Sequence, residues 1–339
     1  KVIAPLVSDG QTTESTEEAQ EEKDPLIPEI DTSVELQAGS RVAVVSKSTS
    51  GEFWGLVKKG MEQAIADVNE AYGFKKEDQV TMTFEGASDE KDVESQGNTI
   101  DAVIAENPDV LCVSASDMDS LQAQLEAAKE NGIPVVAFDS GVTDSKMVRA
   151  FRGTDNTRVG EIAAYRLATA IGKMGKVAVF SAQEKTQSIQ ERVSGFTNYI
   201  TNYPDIEVVE IVYQDQVDDM TAAMQEVLDK YPQLDGVFCD NADIADLYLD
   251  MKKDETKDSI VMVGVDATAK QQEAIRNSKE VGVVSQQPYA MGYQTIWTAL
   301  LTTAPKKSVE IKRNVRIDPA WIDSSNIDDP TYSSYLYAN

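Results

Sequence analysis

Three apolar stretches of the chain end in residues whose side chains can bind a polar ligand. GIPVVAFDS reaches Asp139, DGVFCDNAD reaches Asp240 and Asn241, and IVMVGVDATA reaches Asp266. Unbroken apolar runs of this length are typical of strands buried on both faces, as in parallel sheets covered by helices. Ligands of open α/β sheets bind outside the carboxyl ends of such strands. The spacing therefore predicts a ligand site built by Asp139, Asn241 and Asp266.

Each of these residues also has a simpler interpretation. Asp266 and Asn241 stand where a helix begins, and an Asp or Asn N-cap is worth about 1 kcal/mol of helix stability. Asp139 precedes Ser140 and a glycine, which is also typical of a turn. The prediction of a site depends on their joint placement at one edge of a sheet, because no single residue requires it.

Length and charge restrict the class of protein. A chain of 339 residues suits two domains, and its 41% hydrophobic and 26% charged residues are typical of a folded globular protein. No run of 18 or more apolar residues is present that would span a bilayer. The net charge of −27 argues against nucleic acid as a partner, because nucleic acids are bound through Lys and Arg.

The residue types also argue against an enzyme. The chain has no His, which removes the usual general base and the commonest transition-metal ligand. Cys112 and Cys239 each lie in an apolar strand pattern and lack the CxxC spacing of a metal or redox pair. Neither a phosphate loop nor a strand-borne GxGxxG is found, and the acidic run DNAD lacks the spacing of a calcium loop. We expect no cofactor and no metal.

The first part of the chain differs in composition from the rest. Residues 1–38 contain ten acidic residues against Lys1 and Lys23, with no helical apolar period. Such a segment buries too little apolar surface to offset its ordering entropy, so we predict a disordered acidic tether. The sequence begins with Lys rather than Met, which is consistent with removal of an export signal.

From Arg41 onward, strand and helix patterns alternate to the end of a second, similar half. This alternation predicts βαβ units wound into parallel sheets by right-handed crossovers. Among the predicted strands are a short one at Met147–Phe151 and a late one at Val309–Ile317. The tail from Asp318 is predicted to be coil.

Taken in order, eight segments of the chain resemble the ribose-binding group of extracytoplasmic solute-binding proteins. They are RVAVVS, FWGLVKKGMEQA, GIPVVAFD, FRGTDNTRVGEIAA, QERVSGF, VFCDN, VMVGVD and VVSQQP. The resemblance spans about Arg41 to Ile317. It implies a type I periplasmic-binding fold: α/β, with two doubly wound parallel-sheet lobes joined by a three-strand hinge. The expected lobes are 39–154 plus 288–312 and 155–287 plus 313–339.

The same resemblance implies a set of ligand contacts. Carboxylates and amides suit sugar hydroxyls, which both donate and accept hydrogen bonds, and aromatic rings cover the apolar faces of a sugar. Ser140 stands where ribose receptors carry an Arg, and Gly51 and Val217 also replace polar or aromatic positions, which makes ribose itself doubtful. The expected ligand-binding residues are Phe53, Trp54, Asp139, Ser140, Arg192, Asn241, Asp266 and Gln286. Taken singly, Arg192 could also be a surface residue, and Phe53 and Trp54 could also be residues of the hydrophobic core.

The function that the resemblance implies is a non-enzymatic, monomeric receptor for a monosaccharide that delivers it to the permease of an ABC transporter. Such a receptor is extracytoplasmic, in the periplasm or as a cell-surface lipoprotein, and contacts the membrane only through an N-terminal lipid. A ligand sensor for chemotaxis or a sensor kinase would use the same site. The effector domain of a LacI-like regulator shares the fold but needs a basic helix-turn-helix ahead of it, where this chain is acidic.

Overall fold

Strands and helices alternate along the chain as the sequence pattern predicts. The computed structural model describes residues 23–255, 259–305 and 309–337. The first half contains β1 (Arg41–Val45), α1 (Glu52–Tyr72), β2 (Thr81–Glu85), α2 (Val93–Ala105), β3 (Val110–Val113), α3 (Gln122–Glu130), β4 (Val135–Phe138) and β5 (Ala150–Thr154). The second contains α4 (Asn156–Ala170), β6 (Gly175–Ser181), α5 (Gln187–Ile200), β7 (Ile206–Tyr213), α6 (Met220–Lys230), β8 (Gly236–Cys239), α7 (Ala242–Met251), β9 (Val261–Val265), α8 (Ala269–Arg276), β10 (Gly282–Ser285), α9 (Pro288–Leu301), β11 (Asn314–Ile317) and β12 (Ala320–Asp323).

The described strands form two six-stranded sheets, one in each lobe. Their orders are β11-β5-β4-β3-β1-β2 and β12-β10-β9-β8-β6-β7. All neighbours are parallel except β10 and β12, which are antiparallel. The predicted fold class is therefore confirmed. The two sheets repeat one design, so that β4 of the first lobe corresponds to β9 of the second.

The chain crosses between the lobes three times: after β5, between β10 and α9, and after β11. Helix α9 returns to the first lobe and packs against α1 and β4. Strand β11 pairs with β5, which places Asn314–Ile317 in the first lobe. The predicted boundary at 312/313 is therefore a few residues too early. The sequence could not locate the point where the chain passes to the second lobe, because 314–317 has the same alternating pattern whichever sheet it joins.

One pair of helices in each lobe packs closely through glycines. A Cβ on Gly160 of α4 would lie 2.1 Å from the carbonyl oxygen of Arg192 on α5, and one on Gly195 would lie 2.3 Å from that of Thr157. The equivalent pair in the first lobe, α1 and α9, meets in the same way at Gly60. Only the absence of a side chain lets the backbones approach this closely.

The structure describes only part of the acidic tether. Of the predicted tether 1–38, residues 1–22 lie outside the described residues. The remainder forms no helix or strand, but it is packed on the first lobe, with Val34 and Leu36 each 8% exposed. The Tyr72 hydroxyl donates to the carbonyl oxygen of Val34 at 2.7 Å. The prediction of disorder is wrong for this part, because a few apolar residues between the acidic ones reach the core.

Two other predictions differ from the structure. Strand β5 begins three residues after the predicted start at Met147, since Ser145–Met147 forms a 3₁₀ turn capped by the Asp144 carboxylate. The tail predicted as coil contains β12 and a 3₁₀ helix at Pro330–Tyr335. Both tail elements are too short for a sequence period to show. No described helix is long and apolar enough to cross a membrane.

Candidate ligand-binding site

A cavity of about 170 Å³ lies between the lobes, where the carboxyl ends of both sheets face each other. This is the position that the strand pattern predicts for a ligand. Its lining includes seven of the eight residues singled out from the sequence: Phe53, Trp54, Asp139, Arg192, Asn241, Asp266 and Gln286. Ser140 is fully buried and is not among the lining residues.

Asp139 follows β4 directly and is held by a buried ion pair. Its backbone has a φ of 59°, which is uncommon for a residue other than glycine. The carboxylate lies 3.0 Å from the Lys47 ammonium and accepts a hydrogen bond of 2.6 Å from Ser114. Its oxygens do not cap a turn, so the turn interpretation does not account for this side chain. The ion pair presents a charged group on the first-lobe wall of the cavity.

Sequence reasoning missed Lys47, which lies just beyond β1 and is 5% exposed. Its ammonium donates to the hydroxyl of Ser140 at 3.2 Å and lies 5.7 Å from the centre of the Trp54 ring. Burial lowers its pKa, but attraction to Asp139 and Glu90 outweighs burial and raises the pKa above the ordinary value. The cation beside Asp139 thus comes from a segment that is distant in the chain. The signal available was the missing Arg itself, which left Asp139 without a partner.

Asp266 is the matching carboxylate of the second lobe and follows β9 with a φ of 78°. One oxygen accepts from the Gln286 amide at 2.7 Å and from the Tyr337 hydroxyl at 2.8 Å, and the other accepts from the Ala242 amide at 2.9 Å. The N-cap of α8 is Thr268, which forms a capping box, so the cap interpretation of Asp266 is wrong. Three donors hold this carboxylate in one orientation.

Tyr337 is the second residue that sequence reasoning missed. It lies in the tail and is 3% exposed. Its hydroxyl also accepts a hydrogen bond from the backbone amide of Gln286 at 3.2 Å. Burial and the neighbouring Asp266 raise the pKa of Tyr337 well above its ordinary value, so the hydroxyl stays protonated and can donate. Its ring lies 6.2 Å from that of Phe53 in the opposite lobe. A tyrosine in a coil-like tail carries no period that would mark it for the site.

Arg192 is buried, contrary to the surface interpretation. It is 3% exposed, and its Nε donates to Asn156 at 3.0 Å while Nη1 donates to the Asp240 carbonyl oxygen at 2.8 Å. Its Nη2 makes no hydrogen bond to a described residue and remains available at the cavity wall. Asn241 does cap α7, accepting from the Ile244 amide at 2.9 Å. No described residue accepts a hydrogen bond from its amide nitrogen, so capping and ligand binding are compatible.

Phe53 and Trp54 have different roles: one packs in the core and the other is accessible from the cavity. Trp54 is 3% exposed and belongs to the core of the first lobe, and its indole N–H donates to Glu90 at 2.7 Å. Phe53 is half-buried and meets Trp54 edge to face, with ring centres 5.0 Å apart. Phe53 therefore offers the more accessible apolar face, while Trp54 fixes its position.

The cavity is markedly acidic. Its lining contains six carboxylates against the two cations Lys47 and Arg192; these are Glu52, Glu90, Asp139, Asp243, Asp246 and Asp266. No group of His, Cys, Asp and Glu within the described part of the chain is arranged to hold a metal ion. The pKa of Asp243 is raised to about 7, by loss of hydration and then by repulsion from Glu90 and Asp266.

These raised pKa values, which are caused mainly by burial, predict how stability depends on pH. Burial also raises the pKa values of Asp240 and Asp246 to about 6, against an ordinary 3.8. The folded protein therefore binds more protons than the unfolded chain between about pH 4 and pH 7, and stability falls as pH rises through that window. We expect the unliganded melting temperature to be roughly 2–5 °C higher near pH 5 than near pH 8. Calorimetry on Asp243→Asn, where the dependence should flatten, checks the assignment; a wild-type curve that rises with pH would contradict it.

Comparison with known proteins identifies the architecture. Residues 42–304 match the family described as periplasmic binding protein domain. The chain belongs to the periplasmic binding protein family. Proteins of this family are non-enzymatic components of transport, which confirms the prediction that the chain is not an enzyme.

Several periplasmic binding proteins are similar in sequence. The ribose import binding protein RbsB of Bacillus subtilis is 27% identical over 203 residues, which are 60% of this chain and 66% of that protein. A xylitol-binding protein of Mycolicibacterium smegmatis is 23% identical over 56% of this chain and 55% of its own length. The matched region thus spans less than two thirds of these relatives.

Solved structures of periplasmic binding proteins match more completely. An ABC transporter solute-binding protein from Agrobacterium vitis with bound D-fucose has a TM-score of 0.80 at 28% identity, covering 88% of this chain and all of that one. A carbohydrate transporter solute-binding protein from Agrobacterium radiobacter in complex with D-arabinose has a TM-score of 0.78 at 28% identity, with 88% and 99% covered. The predicted resemblance is confirmed.

Proposed function

We propose that this chain is the substrate-binding protein of an ABC importer and that it holds one monosaccharide between its lobes. The observation that carries the proposal is the facing pair of Asp139 and Asp266, each fixed at the end of a corresponding strand in opposite lobes. A ligand that bonds to both carboxylates makes contacts in the closed state that the open state cannot make. Such a difference in affinity is what drives closure.

The remaining cavity groups suit a sugar. Sugar hydroxyls are both donors and acceptors, so carboxylates such as Asp266 can accept hydrogen bonds from them while Arg192 Nη2 and the Asn241 amide donate to their oxygens. The exposed face of Phe53 covers apolar C–H groups. Gln286 contributes to the site indirectly, since its side chain bonds to Asp266 and to Thr154 at the hinge.

The relatives support a ligand of monosaccharide size. Those named above bind ribose, xylitol, D-fucose or D-arabinose, which share several adjacent hydroxyls and differ in ring and substituents. We infer that this chain takes a ligand of the same class, while Lys47 in place of the receptors' Arg changes its hydroxyl pattern. The proposed partner is a membrane permease, and the chain is proposed to act as a monomer outside the cytoplasm. A lipid at the N terminus stays a prediction.

A thermal-shift screen tests the proposal. Pentoses, hexoses, deoxy sugars and polyols are each added to the purified protein, followed by calorimetry on any that raise the melting temperature. A ligand at about one hundred times its dissociation constant adds ~2.7 kcal/mol, which should raise the melting temperature by several degrees. No shift from any carbohydrate, with protein shown to be folded, would contradict the proposal. Uptake of the bound sugar by cells with and without the gene then separates transport from sensing.

A further inference from the structure

A second cavity adjoins the first between the lobes. Its volume is about 320 Å³. The two cavities have six lining residues in common, including Glu90, Asn241 and Asp243. A ligand seated in the first cavity therefore lies next to the second cavity. Nothing in the monosaccharide proposal uses this space.

The second cavity is more acidic than the first. Of the described residues that line it, none is Lys or Arg, and five are acidic: Asp89, Glu90, Asp243, Asp246 and Asp250. The two cations of the first cavity are already engaged, Lys47 with Asp139 and Arg192 with Asn156 and the Asp240 backbone. Three of the five carboxylates pair with lysines outside this wall: Glu90 with Lys47, Asp89 with Lys91 and Asp250 with Lys270. Asp243 and Asp246 form no ion pair with a described residue.

Two polar side chains on the wall of this cavity, the exposed Asp243 and the buried Gln183, have no partner among the described residues. Asp243 makes no hydrogen bond and no ion pair with any described residue, although Glu90, Asp246 and Asp266 all repel it. Gln183 is 5% exposed and its side-chain amide makes no hydrogen bond with any described residue, which leaves its buried Oε1 unsatisfied. A buried amide left unpaired is destabilising. Both groups indicate a ligand that is both a donor and positively charged.

The arrangement favours an ammonium group over a metal ion. A metal needs several oxygens converging on one point, and no described group of acidic residues does so. An ammonium donates up to three hydrogen bonds in different directions, which suits carboxylates and an amide spread around a cavity. A neutral hydroxyl would satisfy Gln183 but leave the repulsion around Asp243 unchanged.

We propose that the preferred ligand is a carbohydrate with a primary amino group, whose ring occupies the first cavity and whose ammonium lies in the second between Asp243 and Gln183. The inference rests on the proposed function and narrows its substrate class. The test is calorimetry near pH 7 at low salt. The probes are glucosamine, galactosamine and mannosamine, each measured beside its neutral parent hexose and its N-acetyl form.

At least one amino sugar is expected to bind tenfold or more tightly than both its parent and its N-acetyl form. The advantage should shrink as salt is added, because exposed charges are screened. Asp243→Asn should remove most of the advantage, so that the amino sugar and its neutral parent bind to this variant within about threefold of each other. Glu226→Gln, the same loss of charge on the exposed face of α6, should leave the advantage intact.

The outcomes separate the inference from the proposed function. Neutral sugars that bind as tightly as their amino forms would overturn the inference and leave the proposed function standing. An amino-sugar preference that Asp243→Asn does not reduce would overturn the assignment of the second cavity. Absence of binding by every carbohydrate would overturn the proposed function and the inference together.

Discussion

Replacing Asp266 with Asn is expected to weaken binding of the cognate sugar by about one hundredfold or more. Both carboxylate oxygens accept hydrogen bonds from the protein, from Gln286, Tyr337 and Ala242. An amide has only one accepting oxygen, so one donor on this wall must lose its partner. Loss of a buried charged hydrogen bond typically costs 2–5 kcal/mol in affinity. Calorimetry with the sugar found in the screen measures it.

The choice of Asn keeps the test specific. Asp266 has a positive φ, which Asn tolerates far better than Ala, so the backbone should stay in place. The matched control is Asp229→Asn, the same substitution at an exposed position on α6, which should leave affinity within about twofold. Unchanged affinity for Asp266→Asn in folded protein would show that the facing carboxylates are not the centre of the site.

Replacing Gly160 with Ala is expected to destabilise the protein by about 3 kcal/mol, since overpacking a close contact costs roughly 1–3 kcal/mol or more. The new methyl group would meet the carbonyl oxygen of Arg192 at 2.1 Å and the backbone nitrogen of Phe196 at 2.6 Å. These are backbone atoms, so α4 and α5 must move apart. Because Arg192 lies at this contact, sugar affinity should fall as well. Chemical denaturation measures the free energy of unfolding.

Gly55→Ala serves as the counterpart. Gly55 also lies in a helix, but nothing stands within 4 Å of the position that its Cβ would take. The same substitution should there stabilise the protein by about 0.5–1 kcal/mol, the ordinary gain of Ala over Gly in a helix. If Gly160→Ala were as stable as Gly55→Ala, the close helix contact would be wrong.

The fold was largely predictable because its strands carry a strong signal. The apolar runs that end at Phe138 and Val265 are buried on both faces, and only parallel sheets between helices bury strands in this way. The polar residue after each run indicated the position of the cleft, because ligands bind outside the carboxyl ends of parallel strands. Order in the leader was not predictable, because Val34 and Leu36 become buried only through contacts with distant helices.

The parts of the site that sequence missed share one cause. Lys47 and Tyr337 act on Asp139 and Asp266 from segments 92 and 71 residues away in the chain. Neither lies in a motif or at a period, so only the tertiary structure brings them to the carboxylates. Ser140 was placed by sequence position in the resemblance, yet the structure turns it toward Lys47 and Ser188 and away from the cavity.

The lobes also bond directly to each other around the cavity. The Ser140 hydroxyl donates to Ser188 at 2.8 Å, the Gly141 amide to Gln187 at 2.6 Å, and the Ala269 amide to Glu52 at 3.0 Å. Each bond favours the closed form before any ligand arrives, and the apparent dissociation constant is set by the fraction of molecules already competent to bind. Affinity and selectivity can therefore evolve separately in this protein. Substitutions at these direct contacts between the lobes change how tightly every ligand is held. Substitutions inside the cavity change which ligand is bound.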